Sequence, residues 1–149
     1  MSSRINIPKL IVGGLVAGVV LNGVDYAVNN FVLAEAWQRV AQGHNFDAIA
    51  MTGATALTTF ITVDLLLGFL IVWTYAGIRP RFGPGPSTAI IAGFAVWSAA
   101  TLIQMTYAGW FLSWDMIFKT CGLSLVGMLA AALLGAFLYS EDDGQVRLN

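Results

Sequence analysis

Two carboxylates, Asp25 and Asp64, stand in stretches of chain that are otherwise almost wholly apolar, and the amides of Asn22, Asn29 and Gln104 and the amine of Lys119 lie in comparable surroundings. A charge at the centre of a bilayer costs about 2.5–3.5 kcal/mol on insertion scales, so such groups are paired, neutralised or put to work on protons and ions. At 1.5 Å per helical residue, counted from the cytoplasmic ends of four helices, Asp25 and Gln104 lie about 25 Å up, Asp64 about 21 Å and Lys119 about 30 Å. A buried polar layer of Asn22, Asp25, Asn29, Asp64, Gln104 and Lys119 is therefore expected. Its leading internal pair is Asp25 with Lys119 across helices. Asp115 competes for Lys119 because it precedes it by four residues on one helix. Asp64 lies roughly opposite the stripe Thr52, Thr55, Thr59 and Thr62, so carboxylate and stripe face different neighbours. Left without a cation, Asp64 is either a neutral, hydrogen-bonded carboxyl or a proton or cation site.

Other chemistry is thinly represented. Cys121 is the single cysteine, which excludes an internal disulfide and a cysteine metal cage. His44 is the single histidine and excludes a haem held by two histidines of one chain; it reads as a solvated loop residue near Trp37 and Gln38. No nucleophile elbow, phosphate-binding glycine loop or paired-histidine motif occurs. The expectation is no catalytic residue, no metal and no cofactor, with a lipid or pigment as the only bound molecule the grooves could take. A formal net charge of −1 speaks against nucleic acid as a partner.

The elements that must position these groups are membrane helices. Hydrophobic residues make up 58% of the chain and charged ones 10%, against roughly 25% charged in soluble domains. No charge occurs between Gly83 and Trp114, or between Thr120 and Ser140. A hydrocarbon core of about 30 Å needs roughly 20 apolar residues in a helix. Four spans are expected, at about Pro8–Leu33, Ala48–Ile78, Ser87–Ala108 and Asp115–Tyr139, in a single all-α transmembrane domain covering residues 1–149. Pro8 suits a helix start, Ser87 and Asp115 suit caps, and Arg79-Pro80-Arg81-Phe82-Gly83-Pro84-Gly85-Pro86 reads as a tight loop. The first apolar run is too long for a cleaved secretory signal, so Ala34-Glu35-Ala36 is not read as a cleavage site.

Arg4, Lys9, Arg79, Arg81 and Arg147 fall on one side of this arrangement and Arg39 and Lys119 on or near the other, which places both termini in the cytoplasm. Trp73, Tyr75 and Tyr139 then belong to the cytoplasmic aromatic belt, and Trp37, Trp110 and Trp114 to the opposite one.

On the first helix Gly14, Gly18, Asn22, Asp25, Tyr26 and Asn29 share an arc of about 120°, small at one end and polar at the other. Helices in lipid associate through close packing at small residues and through hydrogen bonds between helices, and Gly14-xxx-Gly18 is a close-approach pattern. Further packing faces are Gly93, Trp97, Ala100, Thr101 and Gln104 on the third helix, and Thr120, Ser124, Gly127, Ala131 and Gly135 on the fourth. Leu66-Leu67-Gly68-Phe69-Leu70 and Leu133-Leu134-Gly135-Ala136-Phe137-Leu138 look like a weak repeat of two helical hairpins.

The segment Trp73-Thr-Tyr-Ala-Gly-Ile-Arg-Pro-Arg-Phe-Gly-Pro-Gly-Pro-Ser87, with Val12-Gly-Gly-Leu-Val-Ala-Gly18 and Leu33-Ala-Glu-Ala-Trp37, resembles a group of uncharacterised bacterial membrane proteins of similar length and four expected spans. The resemblance implies a multi-pass protein of the bacterial inner membrane and brings no activity with it. Two functional readings follow. The leading one is a non-catalytic accessory subunit of a larger membrane assembly, such as an energy-converting respiratory or photosynthetic complex, because small-residue faces exceed what four helices need. The other is a small proton- or cation-coupled transporter or channel, alone or as a homo-oligomer, built on the polar layer. A protein that binds lipid or another hydrophobe is a third.

Overall fold

The computed structural model describes residues 5–44 and 53–140. Helix α1 runs Ile7–Ala27 and continues through a wider π turn, Val28–Val32. A short helix α2 follows at Ala34–His44, and then α3 at Ala54–Phe82, α4 at Pro86–Ala108 and α5 at Trp114–Leu138. The four long elements hold 26, 29, 23 and 25 residues, α1 being counted with its π turn. Each is about 35–44 Å long, enough to cross the hydrocarbon with some tilt. Phe60, Leu66, Trp73, Leu102, Ile103, Phe118, Val126 and Phe137 project outward and are exposed. Protein covers no more than a third of each span. A coat this apolar needs lipid around it, so the chain is a four-helix membrane bundle.

Glycines set how the helices meet. A Cβ on Gly68 of α3 would lie 2.6 Å from the Gly14 carbonyl oxygen and 2.6 Å from the Gly18 Cα of α1. One on Gly13 would lie 2.6 Å from the carbonyl oxygen of Gly135 in α5. Helix α1 is thus gripped on two sides, by α3 at Gly14 and Gly18 and by α5 at Gly13 and Ala17. The pairings Gly14 with Phe69, Gly18 with Leu65 and Asn22 with Ile61 run α1 antiparallel to α3. Gly13 with Gly135 and Val24 with Gly127 run it antiparallel to α5. The two Leu-Leu-Gly segments therefore do the same job, Gly68 and Gly135 each admitting the α1 backbone. Gly93 of α4 meets Ala132 of α5, and Ala131 is fully buried.

Several boundaries differ from the sequence reading. The first span ends at Val32, and residues 34–44 form α2 where a loop is expected. Leu33, Trp37, Val40 and Ala41 are buried or half-buried on one face while Glu35, Gln38, Arg39 and Gln42 are exposed, an amphipathic pattern in a helix too short to span. The second span runs through Arg79-Pro80-Arg81-Phe82 and turns only at Gly83. Pro80 sits in the last turn, where the lost N–H costs little, and Arg79 and Arg81 suit the negative end of the helix dipole. Gly83 takes φ 83° and its N–H donates to the Arg79 carbonyl at 2.8 Å, closing the helix; Gly85 takes φ 129°. Gly85, not Ser87, caps α4, with Pro86 in the first turn. Ser113, not Asp115, caps α5, its hydroxyl accepting from the Met116 N–H at 3.3 Å. At the start of α1 Asn6 caps, accepting from the Lys9 N–H at 3.1 Å, and Pro8 falls in the first turn. Residues 48–52 lie outside those described.

Candidate functional site

The crossing of α1 and α3 positions the polar residues. Because Gly14, Gly18 and Gly68 bring the two backbones together, the next turn of α1 places Asn22 directly against α3. Its Nδ2 donates to the Gly18 carbonyl at 3.0 Å and to the Ile61 carbonyl of α3 at 3.4 Å. Both partners are acceptors, which fixes the amide's orientation and turns Oδ1 away from them. Asp64 lies one turn from Ile61 on α3, buried at 5% exposure. Its carboxylate makes no hydrogen bond or ion pair with a described residue, and the charged group whose field reaches it is Asp25. Asp25, half-buried, follows Asn22 by less than a turn on α1. Asn22 and Asp64 thus lie along the α1/α3 seam, with Asp25 near enough for its charge to be felt at Asp64 and no cation paired with either carboxylate among the described residues.

The rest of the expected polar layer lies elsewhere. Lys119 pairs with Asp115 at 2.7 Å within α5, and the two side chains are 59% and 73% exposed. The pair across helices to Asp25 does not form, because the partner four residues away on the same helix is reached without burying either charge. Gln104 is exposed at the far end of α4. Asn29 is exposed as well and serves the π turn: it donates from Nδ2 to the Asp25 carbonyl at 2.8 Å and accepts at Oδ1 from Trp37 Nε1 at 2.8 Å. Asn30 donates likewise to the Tyr26 carbonyl at 2.9 Å. The Leu33 N–H reaches back five residues to the Val28 carbonyl at 2.8 Å. In that wider register the asparagine side chains add hydrogen bonds to the carbonyls of residues 25 and 26. Through Trp37 and Asn29, helix α2 is tied to the main chain of Asp25.

Two grooves mark the surface. One, of about 480 Å³, is lined by Ala54, Thr55, Thr58, Thr59, Thr62 and Val63. The hydroxyls of Thr58, Thr59 and Thr62 donate to the carbonyls of Ala54, Thr55 and Thr58 at 2.7, 2.9 and 2.7 Å, so these three donors are spent within the helix. The other, of about 300 Å³, lies between α2 and the end of α4, lined by Trp37, Val40, Gln104, Tyr107, Ala108, Phe111 and Leu112.

Sequence reasoning groups Trp97 and Ser124 only as members of separate packing faces. The structure joins them: Trp97 Nε1 donates to Ser124 Oγ at 3.0 Å and to the Cys121 carbonyl at 3.1 Å, tying α4 to α5. Tyr75 and Tyr139 do not face outward as belt residues do. They are buried at 4% each and meet edge to face at 5.9 Å, with the Arg79 guanidinium 5.8 Å from the Tyr139 ring and the Tyr75 hydroxyl accepting from the Gly85 N–H. Trp73, Trp110 and Trp114 are exposed as belt residues are. The side chain of His44 lies outside the described residues.

Among known proteins, a stretch of 83 residues is 29% identical to the probable potassium transport system protein Kup 2 of Rhodopseudomonas palustris (strain BisA53). The match takes in 56% of this chain and 13% of that much longer protein. No family model matches the chain, and no solved structure does.

Proposed function

We propose that this chain is a small membrane-embedded transporter or channel for a proton or an inorganic cation, acting through Asp64 and Asp25. The observation that carries the reading is Asp64 itself: a carboxylate at 5% exposure, inside a membrane span, with no cationic partner and no hydrogen bond among the described residues. A purely structural carboxyl in that position would be expected to hold such a partner, since an unsatisfied polar group in hydrocarbon is costly. One that takes up and releases a proton or ion has reason to lack it. The short likeness to a potassium transport protein is compatible with this class.

The accessory-subunit reading draws on surplus small-residue faces, and the glycines of these faces are occupied within the bundle. Gly14 and Gly18 meet α3, Gly135 meets Gly13 and Ala17, Gly127 meets Val24, and Gly93 meets Ala132. In the proposed setting the protein resides in the bacterial cytoplasmic membrane with both termini inside, as the distribution of arginines favours. The reading needs neither cofactor nor partner subunit.

The test is flux. Full-length protein reconstituted in vesicles should dissipate an imposed proton or alkali-ion gradient, and Asp64→Asn should abolish that flux while leaving the detergent-extracted protein folded. Wild-type vesicles as tight as protein-free ones would overturn the proposal.

A further inference from the structure

The backbone around Asp64 narrows what that carboxyl can hold, a step that rests on the transport reading and adds the identity of the substrate. A metal ion that leaves water exchanges its shell for a cage of oxygens, and inside membranes such cages draw on the carbonyls of unwound helix or loop backbone. Neither helix of the seam is unwound here. Helix α3 is continuous through Asp64 from Ala54 to Phe82, and α1 from Ile7 to Ala27, so their carbonyls are engaged in helical ladders. Asn22 turns its Nδ2, a donor, onto the Gly18 and Ile61 carbonyls and so presents hydrogen, not oxygen, to α3. Among the described residues no group of three or more His, Cys, Asp or Glu forms.

Packing strips water from one side as well. One turn along from Asp64, a Cβ on Gly68 would lie 2.6 Å from the Gly14 carbonyl oxygen, and Ile71 and Val72 beyond it are fully buried. The other buried residues of α3 all follow Asp64 in sequence, while none of residues 54–63 is buried, which puts this carboxyl at the rim of the packed core. A lone carboxyl without a cage suits the one cation that needs a single oxygen. A proton makes a covalent O–H bond, cancels the charge within the hydrocarbon and requires no further ligand. The titratable groups on the elements packed around Asp64 are few. Helix α1 brings Asp25, half-buried, the exposed Tyr26 and, at its opposite end, Lys9; α5 brings the exposed pair of Asp115 and Lys119 and the half-buried Cys121. Helix α4 carries no charge, and α3 itself adds Arg79 and Arg81 in its last turn. Asp64 forms no ion pair or hydrogen bond with any of them.

We propose that Asp64 is a proton-binding site closed to metal ions, so that the species carried is the proton. The test treats the full-length chain in vesicles with dicyclohexylcarbodiimide, a reagent that dissolves in the bilayer and reaches a carboxyl at the rim of the core. A protonated carboxyl adds across one C=N bond of the reagent, its proton going to nitrogen and its oxygen to the central carbon. The acyl group then moves from oxygen to nitrogen, leaving a stable N-acylurea with no atom lost. Peptide mass spectrometry should find one reagent added at Asp64 and none at the exposed Asp115. Because only the protonated acid reacts, labelling of Asp64 should be fastest at low pH and, above the group's titration point, slow by about tenfold per pH unit. At constant pH and ionic strength, replacing choline with lithium, sodium, potassium, magnesium or calcium should leave the rate unchanged, since an ion seated on Asp64 would shield it. Proton flux should fall in step with the modification. Shielding by any metal ion, a rate independent of pH, or no label on Asp64 at any pH where the protein stays folded would overturn the proton site. Shielding by a metal ion together with flux of that ion would leave the transport reading standing, whereas pH-dependent, unshielded labelling without any flux would support the proton on Asp64 and remove transport.

Discussion

Replacing Gly68 with alanine adds one methyl group at the closest point between α1 and α3. The new Cβ would lie 2.6 Å from the Gly14 carbonyl oxygen and 2.6 Å from the Gly18 Cα, both of them backbone atoms that no rotamer change can move. Carbon atoms rest at about 3.5–4.0 Å, so the helices must part by about 1 Å. That gap removes a quarter to a half of the dispersion energy of each contact along the seam, including Gly14 with Phe69 and Gly18 with Leu65. It also breaks the Asn22 bond to Ile61, already long at 3.4 Å. Overpacking costs about 1–3 kcal/mol and an interhelical hydrogen bond in a membrane about 0.6 kcal/mol, giving a loss of about 2–4 kcal/mol. Gly77 lies on the same helix with nothing within 4 Å of its Cβ position, so Gly77→Ala should be neutral or stabilise by up to about 1 kcal/mol. The assay is reversible unfolding of both variants in mixed micelles at rising SDS, read by fluorescence of the chain's five tryptophans. If the two substitutions shift the midpoint alike, to within about 0.5 kcal/mol, the reasoning that Gly68 sets the α1/α3 distance is wrong.

With Cys121 changed to Ser, a cysteine at Pro84 should be shielded from a membrane-impermeant thiol reagent in intact cells while one at Gly43 reacts; the opposite pattern would invert the topology. A double-mutant cycle on Asp115 and Lys119 should give a coupling of about 0.3–0.5 kcal/mol, as for exposed pairs four residues apart on a helix, and the same cycle on Asp25 and Lys119 should give none beyond error, with a large Asp25 coupling restoring the pair that the geometry denies. Trp97→Phe removes the link from α4 to Ser124 and the Cys121 carbonyl, and should cost about 1 kcal/mol in the same SDS titration; a cost indistinguishable from zero would mean that the link holds nothing.

Much of the architecture is legible in the residues because a membrane span is a statement about composition. Charge-free runs longer than a bilayer is thick can be counted along the chain, and Gly14, Gly18 and Gly135 announce that backbones will approach there. The amphipathic face of α2 was also present in the spacing of Leu33, Trp37, Val40 and Ala41, but it is overshadowed by the far more apolar run before it. Pro80 misleads for a local reason: a proline near a helix C-terminus removes one donor, and favourable charges and the Gly83 cap outweigh that loss.

Which polar groups meet is a different matter. Depth along a helix follows from residue number, so Asn22, Asp25, Asp64, Gln104 and Lys119 could all be assigned to similar levels. Direction around the axis relative to three neighbours depends on how close each pair of helices comes and at what register. Gly68 against Gly14 and Gly18 fixes that for α1 and α3, turning Asn22 and Asp64 inward to one seam. Gln104 and Lys119, at comparable depth, face outward. The sequence by itself determined that this chain spans a membrane four times and carries carboxylates inside it. Only the tertiary structure decided that Lys119 belongs to Asp115 and that Asp64 is buried beside the α1/α3 seam with no cationic partner among the described residues, because pairing depends on interhelical distances that no single helix contains.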